Sequence, residues 1–164
     1  VTRLPFLLVF VAFAANSLVF QIDGVPFVKQ DREQCGPASL ASVFSYYGVP
    51  IQTDVISKAT YDPRLKGSLI TDLENFARRR GFRTESGRGT VEKLKEFIHQ
   101  RKPVIVLIDQ GFWIMSRPHY LVLFGYDQEG FIAHNGETPS RLYDYVEFRK
   151  MWDKIGSTYL LVYK

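Results

Sequence analysis

The only cysteine of this 164-residue chain, Cys35, lies in Gln30-Asp31-Arg32-Glu33-Gln34-Cys35-Gly36-Pro37-Ala38-Ser39-Leu40, a polar loop running into an apolar, helix-like stretch. A thiol in the first turn of a helix feels the positive end of the helix dipole and unpaired backbone N–H groups, which favour the thiolate and lower its pKa. Cys35 is therefore a candidate nucleophile. The ordinary alternative is a buried cysteine acting as a small apolar side chain.

Acyl transfer by a thiol also needs a base, a group that orients the base, and donors for the oxyanion. His119 opens one apolar run as Arg117-Pro118-His119-Tyr120, and Asn135 closes the next as His134-Asn135-Gly136. On adjacent antiparallel strands the start of one lies beside the end of the next, so the two can be neighbours. The Asn135 side-chain oxygen would hold one ring nitrogen and turn the other toward the thiol. Gln30 would point its amide N–H at the oxyanion, beside the Cys35 backbone N–H. Each residue has a plain reading too: Gln30 as a loop residue, Asn135 as a turn former before Gly136, His119 as a sheet histidine. His134 competes for the role of base, but strand alternation puts His134 and Asn135 on opposite faces, so only one of them can face the thiol. His119 is the preferred base. The segment Gln110–Arg117 is long for a hairpin connection, and its Phe112 and Trp113, with Tyr120, are candidates for a cleft wall.

These groups must be held by a fold, and its elements are legible. Leu40, Val43, Phe44 and Tyr47 recur at spacings of three and four, giving a helix from Cys35 to Tyr47 that stops at Gly48. Asp54–Ala59 predicts a short second helix. Ser68 or Thr71 opens a third, closing on Arg78-Arg79-Arg80-Gly81, and Thr90 caps a fourth through His99. Five strands are then expected, at Pro103–Ile108, His119–Tyr126, Gly130–Ala133, Arg141–Val146 and Thr158–Tyr163. Helices followed by strands predict an α+β domain with an antiparallel sheet.

Composition fits one globular domain, with 46% hydrophobic and 23% charged residues. The net charge of +4 is interleaved with carboxylates, and the Arg78–Arg80 triplet reads as helix-dipole compensation, so nucleic acid is not an expected partner. The three histidines form no HExxH-like spacing and a single cysteine builds no zinc cluster, so no metal is expected. Residues 1–20 differ from the rest. Leu4–Ala15 is an apolar run after Arg3, short for a membrane span, and Ala12-Phe13-Ala14 has the small-x-small form of a cleavage site. A signal peptide is predicted, with a domain from Val25 to Lys164 and a periplasmic or extracellular location. An uncleaved anchor reaching Phe20, with membrane association, is the alternative. In an oxidising compartment a lone thiol favours reactivity over structure.

The Gln30-x4-Cys35-Gly36-Pro37-Ala38-Ser39-Leu40-Ala41 segment, with Tyr46-Tyr47-Gly48 after it, resembles the peptidase C39 and C39-like group of papain-like cysteine peptidases. His119-Tyr120-x-Val122 followed by Gly125-Tyr126-Asp127 carries the same resemblance, and Val25-Pro26-Phe27 and Gly67-Ser68-Leu69 are closer to its exported, stand-alone bacterial members. The resemblance implies a papain-like α+β fold with Cys35 as nucleophile, His119 as base, Gln30 as oxyanion donor and position 135 as orienter. Transporter-linked members cut leader peptides after a double glycine. They usually carry Asp-Pro where this chain has Asn135-Gly136, and their glutamine stands one residue further from the cysteine. The expected function is thiol-dependent amide hydrolysis of an extracytoplasmic peptide or protein, with no cofactor. A peptidoglycan amide hydrolase and a non-catalytic peptide-binding or assembly module are the alternatives.

Overall fold

The computed structural model describes residues 18–164. The apolar run at 4–15 and its cleavage pattern at 12–14 lie outside the described residues. The folded part reaches further back than Val25. Phe20 and Gln21 form strand β1, and Ile22 is almost fully buried.

In chain order, helix α1 (Cys35–Tyr46) and α2 (Thr53–Thr60) precede the two-residue strands β2 (Tyr61–Asp62) and β3 (Gly67–Ser68), which pair with each other. Then come α3 (Ile70–Arg79), β4 (Arg83–Arg88), α4 (Val91–His99), β5 (Val104–Asp109), β6 (Pro118–Tyr126), β7 (Gly130–His134), β8 (Arg141–Asp144), α5 (Tyr145–Asp153) and β9 (Thr158–Tyr163). Seven strands make one antiparallel sheet in the order β4-β9-β5-β6-β7-β8, with β1 added to the far end of β6 through Phe20↔Tyr126 and Gln21↔Gly125. The α+β architecture expected from the chain is the one observed.

Three features differ from those expected. Arg141–Val146 was expected to be strand throughout, but β8 ends at Asp144, whose carboxylate accepts N–H bonds from Val146 and Glu147 at 2.9 Å each and starts α5. Asp144-x-x-Glu147 is the sequence pattern of such a start; the β-forming Tyr143, Tyr145 and Val146 hid it. Strand β4 was missed because its RTESGR sequence has no apolar alternation. As an edge strand it needs none: Thr84 and Ser86 instead donate to Glu74 of α3 at 2.9 and 2.8 Å. The third helix begins at Ile70, between the two expected starts.

Successive residues Val104, Ile105 and Val106 of β5 are all fully buried, which requires cover on both faces of the sheet. Helices α1 and α4 lie against β5 and β6, and α5 against β5 and β7. Leu40, Val43 and Phe44 of α1 enter this core. Their burial fixes the axis of α1 against β6, and with it the position of Cys35 at the helix start.

Candidate active site

Cys35 is the first residue of α1, after a Gln34 whose side chain makes no capping hydrogen bond. Pro37 has no N–H of its own. The N–H groups of Cys35 and Gly36 are therefore left to face the thiol. Gly36 permits a close approach at this point: a Cβ there would lie 3.1 Å from both Leu73 and the ring of Tyr120, tighter than ordinary contact. That close approach sets the helix start directly on the first residues of β6.

His119 is buried beside it on β6, and its Nε2 lies 2.7 Å from the backbone carbonyl oxygen of Asn135. A carbonyl oxygen only accepts, so Nε2 carries the hydrogen, and Nδ1 of the neutral ring presents a lone pair. The sheet register explains the meeting. Val122 pairs with His134, so Asn135 falls across from Leu121 and shares a face with His119 two residues along.

The orienting atom is not the expected one. The Asn135 side chain is turned into its own loop, where Oδ1 accepts the Glu137 and Thr138 N–H groups at 2.9 and 2.6 Å and Nδ2 donates to Tyr143 at 3.2 Å. Asn135 thus holds His119 by its main chain while its side chain shapes the turn.

Gln30 is tied to the same turn by its N–H, which donates to the Gly136 carbonyl at 2.9 Å. Its Oε1 is buried without a partner against Gly136, whose φ of +77° and lack of a Cβ make the space. Cys35, His119 and Gln30 line one cavity of about 950 Å³. Leu65, Leu69, Ile70, Leu107 and Ile155 give it an apolar share, and Asp31, Arg32, Glu33, Lys66, Arg117 and Glu137 a charged one.

The two titrating groups are both held toward neutrality. Burial pushes the Cys35 thiol up, against the opposing pull of the Tyr120, Gly36 and Cys35 N–H groups and of Arg117. Burial likewise pushes His119 below its ordinary value, against its bond to Asn135. The N–H groups at the helix start act on the thiol in the expected direction, and desolvation outweighs them.

Trp113, expected in the cleft wall, points into solvent and does not line the cavity. Tyr120 does line it but is mostly buried: its ring packs under Gly36 and its hydroxyl donates to the Ser68 carbonyl at 2.9 Å. His134 is turned away, with Nε2 at 3.0 Å from the Val25 carbonyl and Nδ1 accepting the Ser140 N–H at 3.1 Å. The Tyr120 N–H, directed at the thiol, was not anticipated, since no side-chain type signals a backbone donor.

The profile of the Peptidase_C39 like family matches residues 22–160. The chain belongs to that family. Among curated proteins none matches. The peptidase domain of Streptococcus ComA, a bi-functional ABC transporter involved in quorum sensing, is similar with 21% identity and a TM-score of 0.71, over 85% of this chain and 98% of that one. A Bacillus anthracis protein described as a C39-like peptidase has 16% identity and a TM-score of 0.73, over 90% and 98%. A double glycine motif protease from an AMS/PCAT transporter, solved with a leader peptide, has 23% identity and a TM-score of 0.70, over 87% and 92%. These likenesses establish that this C39-like chain has the peptidase-domain fold.

Proposed function

We propose that this C39-like protein is a cysteine peptidase that cleaves an extracytoplasmic peptide or protein through a thioester. The observation that carries this reading is the tautomer of His119: the 2.7 Å bond to the Asn135 carbonyl fixes the hydrogen on Nε2 and leaves a basic Nδ1 in the cavity that Cys35 lines. A neutral thiol beside a neutral imidazole is a competent resting pair, because the proton moves as the bond forms.

In the proposed reaction Nδ1 of His119 takes the Cys35 proton as Sγ attacks the substrate carbonyl carbon. The N–H of Cys35 and the amide of Gln30 stabilise the oxyanion. The imidazolium returns its proton to the leaving amine, the C–N bond breaks, and a thioester remains. Water then attacks with His119 as base, and the acid product leaves with the thiol restored. No cofactor takes part in these steps. The complex of a related double glycine motif protease with its leader peptide supports a peptide ligand for the cleft. The extracytoplasmic setting rests on the signal-like pattern of residues 4–15.

The upward push on the thiol favours one competing reading, a peptide-binding module without catalysis. One experiment separates them. The protein and its Cys35→Ala variant are incubated with a complex peptide mixture, and new termini and a thioester adduct at Cys35 are sought by mass spectrometry. Cleavage products that vanish with Cys35→Ala establish the peptidase. Peptides retained equally by both proteins, with no products, establish the binding module.

A further inference from the structure

The connection between β5 and β6 ends in four successive large apolar residues with no protein cover. Phe112, Trp113, Ile114 and Met115 are 87, 87, 93 and 74% exposed. Single exposed apolar side chains are ordinary, but four in a row at one tip are not.

The tip is built and braced. The Met115 N–H donates to the Phe112 carbonyl at 3.1 Å, closing a turn whose residue Trp113 has φ +59°. At the neck the buried Asp109 carboxylate accepts the Gly111 and Arg117 N–H groups at 2.7 and 2.8 Å and the Ser116 hydroxyl at 2.9 Å, and lies 3.1 Å from the Lys154 ammonium. Burial would raise the Asp109 pKa, and these donors outweigh it and hold it at about 2. The Gln110 N–H adds a bond to the Arg117 carbonyl at 3.0 Å, and Lys154 donates to Gly111 at 3.1 Å. The apolar residues are thus displayed on a fixed stalk.

The geometry points to a lipid bilayer as the occupant: the Phe112–Met115 tip inserts into the interfacial region of an anionic membrane and holds the cleft at its surface. Shape is the first argument. A loop tip with four successive exposed apolar side chains finds cover in a fluid medium without a matching groove. Residue type is the second, since aromatic rings such as those of Phe112 and Trp113 suit the headgroup level and Ile114 and Met115 the acyl boundary. Charge is the third. Residues 110–118 contain no carboxylate, and Arg117, 71% exposed, follows the tip, placed to meet anionic headgroups, while the Lys154 charge at the neck is matched by Asp109. Glu137 faces Arg117 at 4.0 Å and belongs to the cleft lining. Ser116 and Arg117 line the cleft as well, so insertion would bring its mouth to the membrane.

The tip is a different element from the one by which the described chain enters the fold. Leu18 enters the fold through β1 at the Gly125–Tyr126 end of β6, about 26 Å of strand from Pro118. It also stands independently of whether Cys35 is catalytic.

The chain carries its own reporter. Of two tryptophans, Trp152 is buried with its N–H on the Thr158 carbonyl at 2.9 Å, so a change in emission on adding lipid reports Trp113. The full chain is titrated with phosphatidylcholine vesicles containing phosphatidylglycerol, with and without bromine on the acyl chains. A blue shift of Trp113 and its quenching by the brominated lipid are expected. The triple variant Phe112→Ser, Ile114→Ser, Met115→Ser, which keeps Trp113, should need about tenfold more lipid for the same shift. Its melting temperature should be nearly unchanged, since the three side chains are largely exposed; if it misfolds, quenching in the unmodified protein still decides. Emission that stays water-exposed while the protein sediments with vesicles overturns the proposal, as does an absence of binding. A blue shift that needs no vesicles and grows with protein concentration also overturns it, assigning the tip to a second copy of the chain.

Discussion

Two buried histidines, His119 and His134, show what separates a site from a strut. Each bonds a backbone carbonyl through Nε2, His119 at 2.7 Å to Asn135 and His134 at 3.0 Å to Val25, and each is therefore the same tautomer. They differ at the other nitrogen. Nδ1 of His134 accepts the Ser140 N–H, and its ring lies between Phe27 and Phe124, with centroids 5.5 and 4.3 Å away. Nδ1 of His119 makes no hydrogen bond among the described residues and belongs to a ring that lines the cleft with Cys35. A base needs an unengaged lone pair and access to a proton; a histidine with both nitrogens bonded only joins chain segments.

The sharpest way to break this contrast is to remove each ring in turn. His119→Ala is expected to lower kcat/KM by about 10²–10⁴-fold, read by peptide hydrolysis once a substrate is found and by Cys35 alkylation before that, and to cost about 1–3 kcal/mol of stability because the Asn135 carbonyl loses its donor. His134→Ala should lose stability without losing reactivity. Leaving the Val25 carbonyl and Ser140 N–H unpaired costs about 1–3 kcal/mol each way, seen as a lower urea midpoint, while the alkylation profile of Cys35 in the folded protein is unchanged. Equal effects on reactivity from both variants would refute the assignment.

Smaller effects sharpen it. Gln30→Ala should reduce kcat by about 10²–10³-fold with KM nearly constant, as for loss of one oxyanion donor. Asn135→Ala should retain most activity, because the carbonyl that holds His119 persists, and should destabilise the Glu137–Thr138 turn by about 1 kcal/mol in denaturant melts. A collapse of activity in the folded variant would return the orienting role to the side chain.

The smallest expected effect is on acid stability. Burial lowers both histidines below their ordinary 6.5 in the folded state. The unfolded chain then takes up protons first as the pH falls. Their contribution is complete above about pH 6.5 and is lost as pH falls from there through the depressed values. His134→Gln, which cannot protonate, should flatten part of that slope in melts taken from pH 7.5 to 5. An unchanged slope would mean that His134 is not among the groups responsible.

Much of this protein could be read without its structure. The apolar periodicity of Leu40, Val43 and Phe44, the strands from Val104 to Tyr126, and the placement of Cys35 at a helix start are local properties, set by side-chain type and spacing. So were the polar loops that separate them. The tertiary structure decided what depends on atoms far apart in sequence. It chose the carbonyl of Asn135 over its side chain, because the turn to Thr138 engages Oδ1 first. It kept His134 out of the site by laying Val25 against it from the other end of the chain. It raised the Cys35 thiol by burying it, and sent Trp113 to solvent through a turn braced by Asp109. Side-chain type determines which chemistry a residue can perform. Packing and hydrogen-bond competition among distant segments determine which residues remain free to perform it.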